Sequence, residues 1–263
     1  MARPTVALLT DFGTRDHYAG TMKGVVLGIC PDAALVDISH DIPPHDLQFA
    51  ALELAAACPY FPSGSVFVVV VDPGVGSARR GVAAEAGDYR FVAPDNGVLT
   101  AVFQRMPPKR VVELTERRYA RPTVSRTFEG RDRFAPAAAW LAKGIQLSAL
   151  GRPLSEYTLL DIPVPTVEDD GVYGAVLRVD RFGNLVTNID RREFDRVAAS
   201  GAIEIDVGGH SVARLVETYT DIAEGEVSAL FGSTDHLEIA ANSSSAGDQL
   251  GVTLGVEVRV LRA

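Results

Sequence analysis

The residues with the clearest chemical potential stand at the end of an apolar run, in FVVVVDPGVGSARRG at residues 67–81. The run ends on Asp72, and Arg79 follows seven residues later. Such an apolar run predicts a strand buried on both faces, which Pro73 and Gly74 terminate. A carboxylate and a guanidinium at this point form either a structural ion pair or part of a site for a polar ligand.

Three further strand candidates end in polar residues. They are TVALLTDF with Asp11, AALVDISHD with His40 and Asp41, and the start of YRFVAPDNGVLTAVF with Asp95 and Asn96. In open α/β sheets, ligands bind beyond the carboxyl ends of the strands. A single polar strand tip is commonly a cap, but four together predict a cleft.

The elements that must position these residues alternate along the first part of the chain. Apolar residues at helical spacing predict helices over 16–30, 46–61 and 131–144. Alternating strands and helices predict an α/β N-terminal domain with a largely parallel sheet, over residues 1–151.

The pattern changes towards the C-terminus. Residues 152–170 are rich in proline and acidic residues and are interpreted as a linker. Residues 171–263 alternate apolar with polar residues, with one helix candidate at 191–200. This pattern predicts a smaller, mainly β C-terminal domain, built as a barrel or a sandwich.

Composition narrows the classes of partner. A formal net charge of −9 disfavours nucleic acid and anionic membranes. The sequence contains no run of about 18 apolar residues, so no membrane span is predicted. The N-terminal apolar run is too short for a signal peptide, so a cytoplasmic location is expected. The two cysteines, Cys30 and Cys58, are predicted to be buried, reduced thiols.

Common cofactor and catalytic motifs are absent from the sequence. No dinucleotide fingerprint, P-loop, HExxH, GxSxG or CxxC pair occurs. The five histidines have no metal-ligand spacing, so no metal site is expected. Without such motifs, the residue patterns indicate only an α/β domain with an acidic cleft, plus a β domain.

Five segments spread over both predicted domains carry a family resemblance: LLTDFGTRDHYAGTMKG, DPGVGSARR, VAPDNGVLT, TFEGRDRFAPAAAWLAKG and DRFGNLVTNI. From about Thr5 to the C-terminus, the chain resembles the S-adenosyl-L-methionine (SAM) hydroxide adenosyltransferases, relatives of the fluorinating and chlorinating enzymes. The resemblance implies an α/β domain, a linker and a C-terminal β-barrel. It also implies a homotrimer, with SAM as substrate, no cofactor, and sites between one subunit's N-domain and a neighbour's C-domain.

The resemblance implies that water attacks C5′ of SAM and expels L-methionine, leaving adenosine. Asp72 stands where the halogenating members carry an aromatic residue; it would orient a water and repel a halide. Arg79 would stabilise the charged form of Asp72. Glu129 stands where hydrolytic members usually have histidine. It would either pair with Arg79 and act as a second acceptor for the water, or turn toward solvent and leave a slow or inactive site.

Six residues match the family's substrate contacts: Asp11 for the ribose hydroxyls, Asp16 and Asp180 for the methionine ammonium, Phe128 for the nucleoside, Asn184 for the adenine edge and Ser233 for the methionine carboxylate. Asp16 is alternatively a helix N-cap, and Phe128 is alternatively plain core. Asp235, with Thr234 beside it, stands where glycine is usual and adds negative charge near the methionine carboxylate. His45 replaces an aromatic residue that flanks the adenosine in the halogenases.

Two alternative functions stay open. An adenosyl halide synthase is one, and Asp72 disfavours it. A non-catalytic SAM- or adenosine-binding protein is the other, and Glu129 keeps it open.

Overall fold

Two compact units make up the chain, Met1–Ile162 and Pro163–Ala263. The computed structural model describes residues 3–199 and 201–262. Each unit has its own hydrophobic core. The segment 152–170, predicted as a linker, is divided between the two units.

The first unit is a sheet with helices packed against it. Its strands are β1 (Thr5–Thr10), β2 (Ala34–Ser39), β3 (Val66–Val70), β4 (Gly81–Ala86), β5 (Tyr89–Pro94), β6 (Pro108–Leu114) and β7 (Gly151–Pro153). Its helices are α1 (Tyr18–Ile29), α2 (Leu47–Ala57), α3 (Thr100–Arg105) and α4 (Ala135–Ala142), with 3-10 turns at Cys58–Tyr60, Arg117–Tyr119 and Leu147–Leu150 and a π-helical turn at Gly130–Phe134. The predicted helices exist, with ends a few residues from the predicted limits.

The sheet of the first unit is mixed. Its strand order is β2-β1-β3-β5-β4-β6-β7, parallel from β2 to β5 and antiparallel from β5 to β7. The prediction of a largely parallel sheet was therefore wrong. The physical reason is the short turn at Gly87 and Asp88, which joins β4 to β5 as a hairpin, with Gly87 at φ +54°. Two-residue hairpin turns need a positive φ, which glycine adopts without steric cost.

Strand β3 is buried on both faces, as its valines predict. Val66, Val68 and Val70 pack into one core with residues of α1 and α4. All five of its side chains are at most 3% exposed, and burying one valine stabilises the fold by roughly 1.5–3 kcal/mol. Strand β3 is therefore a rigid support for the residues that follow it.

The two cysteines lie inside the first unit. Cys30 and Cys58 are both buried and free, as predicted. Burial raises the pKa of Cys58 to about 11, because a low-dielectric surrounding disfavours the thiolate. This thiol is therefore inert at neutral pH.

The second unit is a nearly closed, barrel-like antiparallel sheet. Its strands are β8 (Thr166–Val167), β9 (Gly171–Val179), β10 (Leu185–Asp190), β11 (Ile203–Val207), β12 (His210–Val212), β13 (Val227–Phe231), β14 (His236–Ala241) and β15 (Glu257–Arg262). The order is β12-β11-β15-β9-β10-β14-β13, with β8 beside β9, and the end strands β12 and β13 approach each other. The prediction of a mainly β, barrel-like domain is confirmed.

The second unit also contains two short helices, α5 (Arg191–Ala198) and α6 (Ala246–Leu250), and a 3-10 turn at Tyr219–Asp221. The Asp190 side chain accepts from the Glu193 amide at the start of α5, and the Glu193 side chain accepts in return from the Asp190 amide, a capping box. The helix predicted at 191–200 is thus confirmed over Arg191–Ala198, with Ala199 as its C-cap, and Ser200 lies outside the described residues. Helix α6 was not predicted, because five residues are too few for a helical period. Within residues 3–199 and 201–262, no helix is long and apolar enough to cross a membrane.

Candidate functional site

A cavity of about 500 Å³ opens at the carboxyl ends of β1 and β3. This strand-end cavity is lined by Asp11, which follows β1, and by Asp72, which lies two residues beyond β3. Parallel pairing of β1 with β3 sets the two ends side by side. Two of the four polar strand ends predicted to form a cleft therefore meet in one cavity.

Asp72 and Arg79 form a bidentate ion pair at this cavity. Nε of Arg79 donates to Oδ1 of Asp72 at 2.8 Å, and Nη2 donates to Oδ2. The two side chains are 5% and 9% exposed. Burial opposes the charge of Arg79, but the hydrogen bond and charge of Asp72, together with Glu129, raise its pKa. The guanidinium therefore stays charged, and the bidentate geometry fixes the carboxylate plane.

Glu129 extends this pair into a line of alternating charges. Its Oε2 lies 2.6 Å from Nη2 of Arg79, and its Oε1 accepts from Nη1 of Arg133 at 3.3 Å. Arg133 also donates to the carbonyl of Leu114 at 2.8 Å. Oε2 of Glu129 is buried but accepts no well-aligned hydrogen bond from any described residue. The four charges of Asp72, Arg79, Glu129 and Arg133 sum to zero.

The orientation of Glu129 decides between its two interpretations. Its side chain is only 12% exposed and lies 2.6 Å from Arg79, so it pairs with that guanidinium and does not turn toward solvent. Sequence reasoning missed Arg133. The available signal was the glutamate-to-arginine spacing of four residues, which brings such side chains together along a helical turn.

The loops that carry Asp72 and Glu129 meet at Gly76. This glycine has φ +78°, and a Cβ on it would collide with the main-chain carbonyl of Arg126. The Arg126 side chain in turn donates from Nη2 to the carbonyl of Gly76 at 2.9 Å. Glycine is required here by both the backbone angle and the close approach.

One buried carboxylate, Asp132, holds the segment that leads to Glu129. It accepts from the amide of Ser125 at 2.8 Å and from Nε of Arg131 at 2.7 Å, and Nε of Arg121 lies 3.3 Å from it. Burial alone would raise the pKa of Asp132. The hydrogen bonds from Arg131 and Ser125 and the arginine charges outweigh burial, so the pKa is lowered. This network fixes the approach to Glu129.

The remaining wall of the strand-end cavity suits a nucleoside. Asp11 accepts from the amide of His45 at 2.9 Å through Oδ2. The rings of Phe12, Tyr18 and Phe128 pack with centroids 5.1–6.0 Å apart and line the cavity. Aromatic faces pack against flat rings, and a carboxylate accepts from vicinal hydroxyls. Phe128 is 8% exposed and belongs to the core and the cavity lining at once.

Asp16 lies apart from this lining. It is exposed and precedes His17 and Tyr18, which do line the cavity. The N-cap of α1 is His17, and no side chain among the described residues caps this helix. The N-cap interpretation of Asp16 was therefore wrong.

The other two polar strand ends have structural partners outside the cavity lining. His40 is buried, with Nδ1 2.8 Å from the hydroxyl of Thr10. Asp95 accepts from Nε of Arg80 at 2.8 Å and from the amide of Thr158 at 2.8 Å. These residues stabilise the strand ends, as polar caps do.

A separate cavity of about 620 Å³ lies in the second unit. This barrel cavity is lined by Asp180, Phe182, Asn184, Tyr219 and residues 241–245, with Thr220. Oδ1 of Asp180 accepts from the amides of Phe182 and Asn184, and Oδ2 accepts from Nδ2 of Asn184 at 2.9 Å. Asp180 therefore fixes the Asn184 side chain. Phe182 is 76% exposed and offers a ring for stacking.

Ser233 is not among the residues that line the barrel cavity. It is exposed on the turn between β13 and β14, beside Asp235. Asp235 has φ +61°, a backbone conformation that favours glycine. Its carboxylate accepts from Nε of Arg191 at 2.7 Å. The negative charge that Asp235 was expected to add is therefore paired.

Sequence reasoning also missed Tyr219 and the tract Asn242–Ser245 in the barrel cavity. The hydroxyl of Tyr219 donates to Oε2 of Glu238 at 2.9 Å. Burial, and then the hydrogen bond and charge of Glu238, raise the pKa of Tyr219 to about 12. The signal for the tract was its run of one asparagine and three serines directly after a strand. Tyr219 gave no such signal.

Comparisons with known proteins match both units. The model of the SAM hydroxide adenosyltransferase N-terminal domain matches residues 6–151, and that of the C-terminal domain matches residues 174–259. An (R)-S-adenosyl-L-methionine hydrolase of Thermus thermophilus is 41% identical over 264 residues, covering 97% of this chain and 99% of that protein.

Two more distant comparisons bear on fold and chemistry. The crystal structure of an uncharacterized conserved protein from Thermotoga maritima matches with TM-score 0.92 and 37% identity, covering 98% of this chain and 100% of that one. A fluorinase of Actinoplanes sp. is 28% identical over 298 residues, covering 99% of this chain and 98% of that protein.

Proposed function

The chain belongs to the SAM hydroxide adenosyltransferase family, and on that premise we propose that it hydrolyses SAM to adenosine and L-methionine. The substrate supplies its own leaving group, because the sulfonium departs as a neutral thioether. The protein then has two tasks, which are to hold C5′ in line with a water and to orient that water. The proposal needs no cofactor.

The observation that carries the proposal is the buried Oε2 of Glu129. Glu129 lines the strand-end cavity, and its Oε2, beside Arg79, lacks an aligned donor among the described residues. The Asp72 carboxylate lines the same cavity, and Arg79 contacts both carboxylates. A water between them would donate to both oxygens, which directs its lone pair toward C5′.

The reaction balances with one water. The water oxygen forms a bond to C5′, the C5′–S bond breaks, and its electron pair stays on the methionine sulfur. One water proton passes through the carboxylates to solvent.

Asp11 would accept from the ribose hydroxyls and Phe128 would pack on the nucleoside. In the second unit, Asp180 would face the methionine ammonium, with Asp16 contacting it from the first, and Asn184 would read the adenine edge. Ser233 would contact the methionine carboxylate.

Water is favoured over halide as the nucleophile. The line from Asp72 to Arg133 has no net charge, so it offers an anion no net attraction. Two carboxylates at the cavity would repel chloride or fluoride but accept hydrogen bonds from water. The adenosyl halide synthase is therefore the weaker candidate, although a fluorinase is among the relatives.

We also propose that the active form is a homotrimer. In this arrangement, the strand-end cavity of one subunit is completed by the barrel cavity of a neighbour. The division of the predicted contacts between two cavities supports this proposal, because neither cavity alone contains residues for all parts of SAM.

The test is incubation with SAM in heavy-oxygen water, followed by mass analysis of the products. We expect adenosine that carries the solvent oxygen. Unlabelled adenosine, or a 5′-halo product in chloride buffer, would overturn water attack at C5′. Binding of SAM without any product would favour the non-catalytic alternative.

A further inference from the structure

Another cavity of the first unit, of about 270 Å³, lies on the other side of Glu129 from the strand-end cavity. This side cavity is enclosed by the end of β6, the segment 115–124 and the turn that carries Glu129 and Arg133. Exposed residues such as Glu116 and Val124 line it, so it opens to solvent. It belongs wholly to the first unit.

Glu129 is the one described residue that lines both the side cavity and the strand-end cavity. Its two oxygens point to different partners: Oε1 lies 3.3 Å from Arg133, on the side cavity, and Oε2 lies 2.6 Å from Arg79. The carboxylate therefore forms the boundary between the two cavities.

The side cavity suits water. A water molecule's share of liquid volume is about 30 Å³ and it needs two to four polar partners, so this cavity can hold several. Thr115, Glu129 and Arg133 supply donors and acceptors on its wall. The strand-end cavity has an aromatic wall instead, and a pocket of its size buries most of its ligand's surface. A bound substrate would close that side to solvent.

We infer that the attacking water enters through the side cavity and passes Glu129, which Arg133 holds at the boundary. This inference rests on the proposed hydrolysis. Arg133 acts here as a positioning residue, since it touches Glu129 and not the reacting atoms. The proton that the water releases returns to solvent by the same path.

The test is a sequential-mixing experiment on the complete protein. Excess protein is mixed with carbon-labelled SAM in ordinary water and aged for less than one turnover. It is then mixed with heavy-oxygen water that contains excess unlabelled SAM. The adenosine formed during ageing is measured in a sample quenched at the second mixing, and the carbon-labelled adenosine formed afterwards comes from SAM that was already bound, because excess unlabelled SAM prevents rebinding. We expect that adenosine to carry the new solvent oxygen, because water still enters behind bound SAM. Ordinary oxygen in it would overturn the inference, since the water would have been trapped before SAM bound.

Two variants test the path itself. Ala120→Phe fills the side cavity, and Val124→Trp narrows its mouth. Because Val124 is exposed, the second substitution should affect folding less. We expect at least about a fivefold fall in kcat with KM unchanged, and ordinary oxygen in the carbon-labelled adenosine. Ala149→Phe is the matched control, because Ala149 is also half-buried but lines neither cavity.

The outcomes separate the two proposals. If a folded, SAM-binding Val124→Trp or Ala120→Phe protein keeps the wild-type rate and isotope pattern, the side-cavity path is wrong and hydrolysis stands. If the wild-type protein yields no adenosine at all, the proposed hydrolysis fails and the path fails with it.

Discussion

Glu129 and Arg133 are joined across one helical turn, with Oε1 of the carboxylate 3.3 Å from Nη1 of the guanidinium. Through its other oxygen, Glu129 also contacts Arg79. Replacing Glu129 therefore removes the only carboxylate between two guanidiniums in the line of charges. The consequences can be measured in both turnover and stability.

Glu129→Ala is expected to slow adenosine formation by at least about tenfold, or about 1.4 kcal/mol of barrier, because the water loses its second acceptor. Glu129→His should retain activity, since an imidazole nitrogen can also accept from the water. Adenosine release measured for wild type and both variants checks this. A wild-type rate for Glu129→Ala would mean that Asp72 and Arg79 suffice.

The pairing with Arg133 predicts a coupling in stability. Arg133→Leu alone should lower the free energy of unfolding, because Glu129 loses a partner. In the Glu129→His protein the same change should cost less or even stabilise, because Arg133 no longer has a carboxylate to balance it. Urea unfolding of the four proteins gives the coupling energy, expected at about 0.5–3 kcal/mol. Additive effects would contradict the charge line.

Asp72→Asn should lower kcat much more than it weakens SAM binding, because an amide keeps the shape but is a poor proton acceptor. Single-turnover rates and equilibrium binding of SAM distinguish the two effects. Asp95→Asn is the control, since Asp95 also pairs with an arginine but outside the cavity lining. Equal losses of rate and affinity in Asp72→Asn would mark Asp72 as a binding or structural residue.

Asp132 predicts a specific loss of stability in acid. Its pKa in the folded protein is lowered below the ordinary value of 3.8. Its contribution to the free energy of unfolding is therefore complete above pH 3.8 and is lost as pH falls through the pKa of the folded protein. At pH near 7, Asp132→Asn should cost about 1.5–3 kcal/mol, as for hydrogen bonds to a charged group. The difference from wild type in urea unfolding should shrink below about pH 4, and a pH-independent difference would refute this assignment.

The proposed trimer predicts complementation between inactive subunits. Asp72→Ala damages the strand-end cavity and Asn184→Ala damages the barrel cavity. If each site combines the two cavities from different subunits, mixed trimers contain some sites with neither defect. Adenosine formation should therefore recover after subunit exchange, which mass analysis of the assemblies can verify. No recovery in verified mixtures would count against shared sites.

Sequence reasoning succeeded where one local pattern determined the outcome. The valines before Asp72 predicted β3 because a strand buried on both faces needs an unbroken apolar run. Sequence reasoning failed on the direction of the strands. The hairpin between β4 and β5 depends on a two-residue turn at Gly87, and the two strands beside it are only modestly apolar. The largely parallel sheet was therefore predicted wrongly.

The candidate site was predictable to a similar, partial extent. The residues at Asp11, Asp72 and Glu129 do share one cavity, and Asp180 and Asn184 share another. Arg133 was missed because a charge partner four residues away is usually a solvent-exposed pair. The side cavity could not be predicted at all, since its wall combines β6, a loop and a π-helical turn that meet only through tertiary packing.

The contact at Gly76 has a consequence for local unfolding. Because the carbonyl of Arg126 lies against this glycine, neither loop can open without releasing the other. The residues around Asp72 and those before Glu129 should then behave as a single cooperative unit in hydrogen exchange. A substitution that disorders one loop should therefore speed hydrogen exchange in both loops. Asp72 and Glu129 would then lose their fixed positions together.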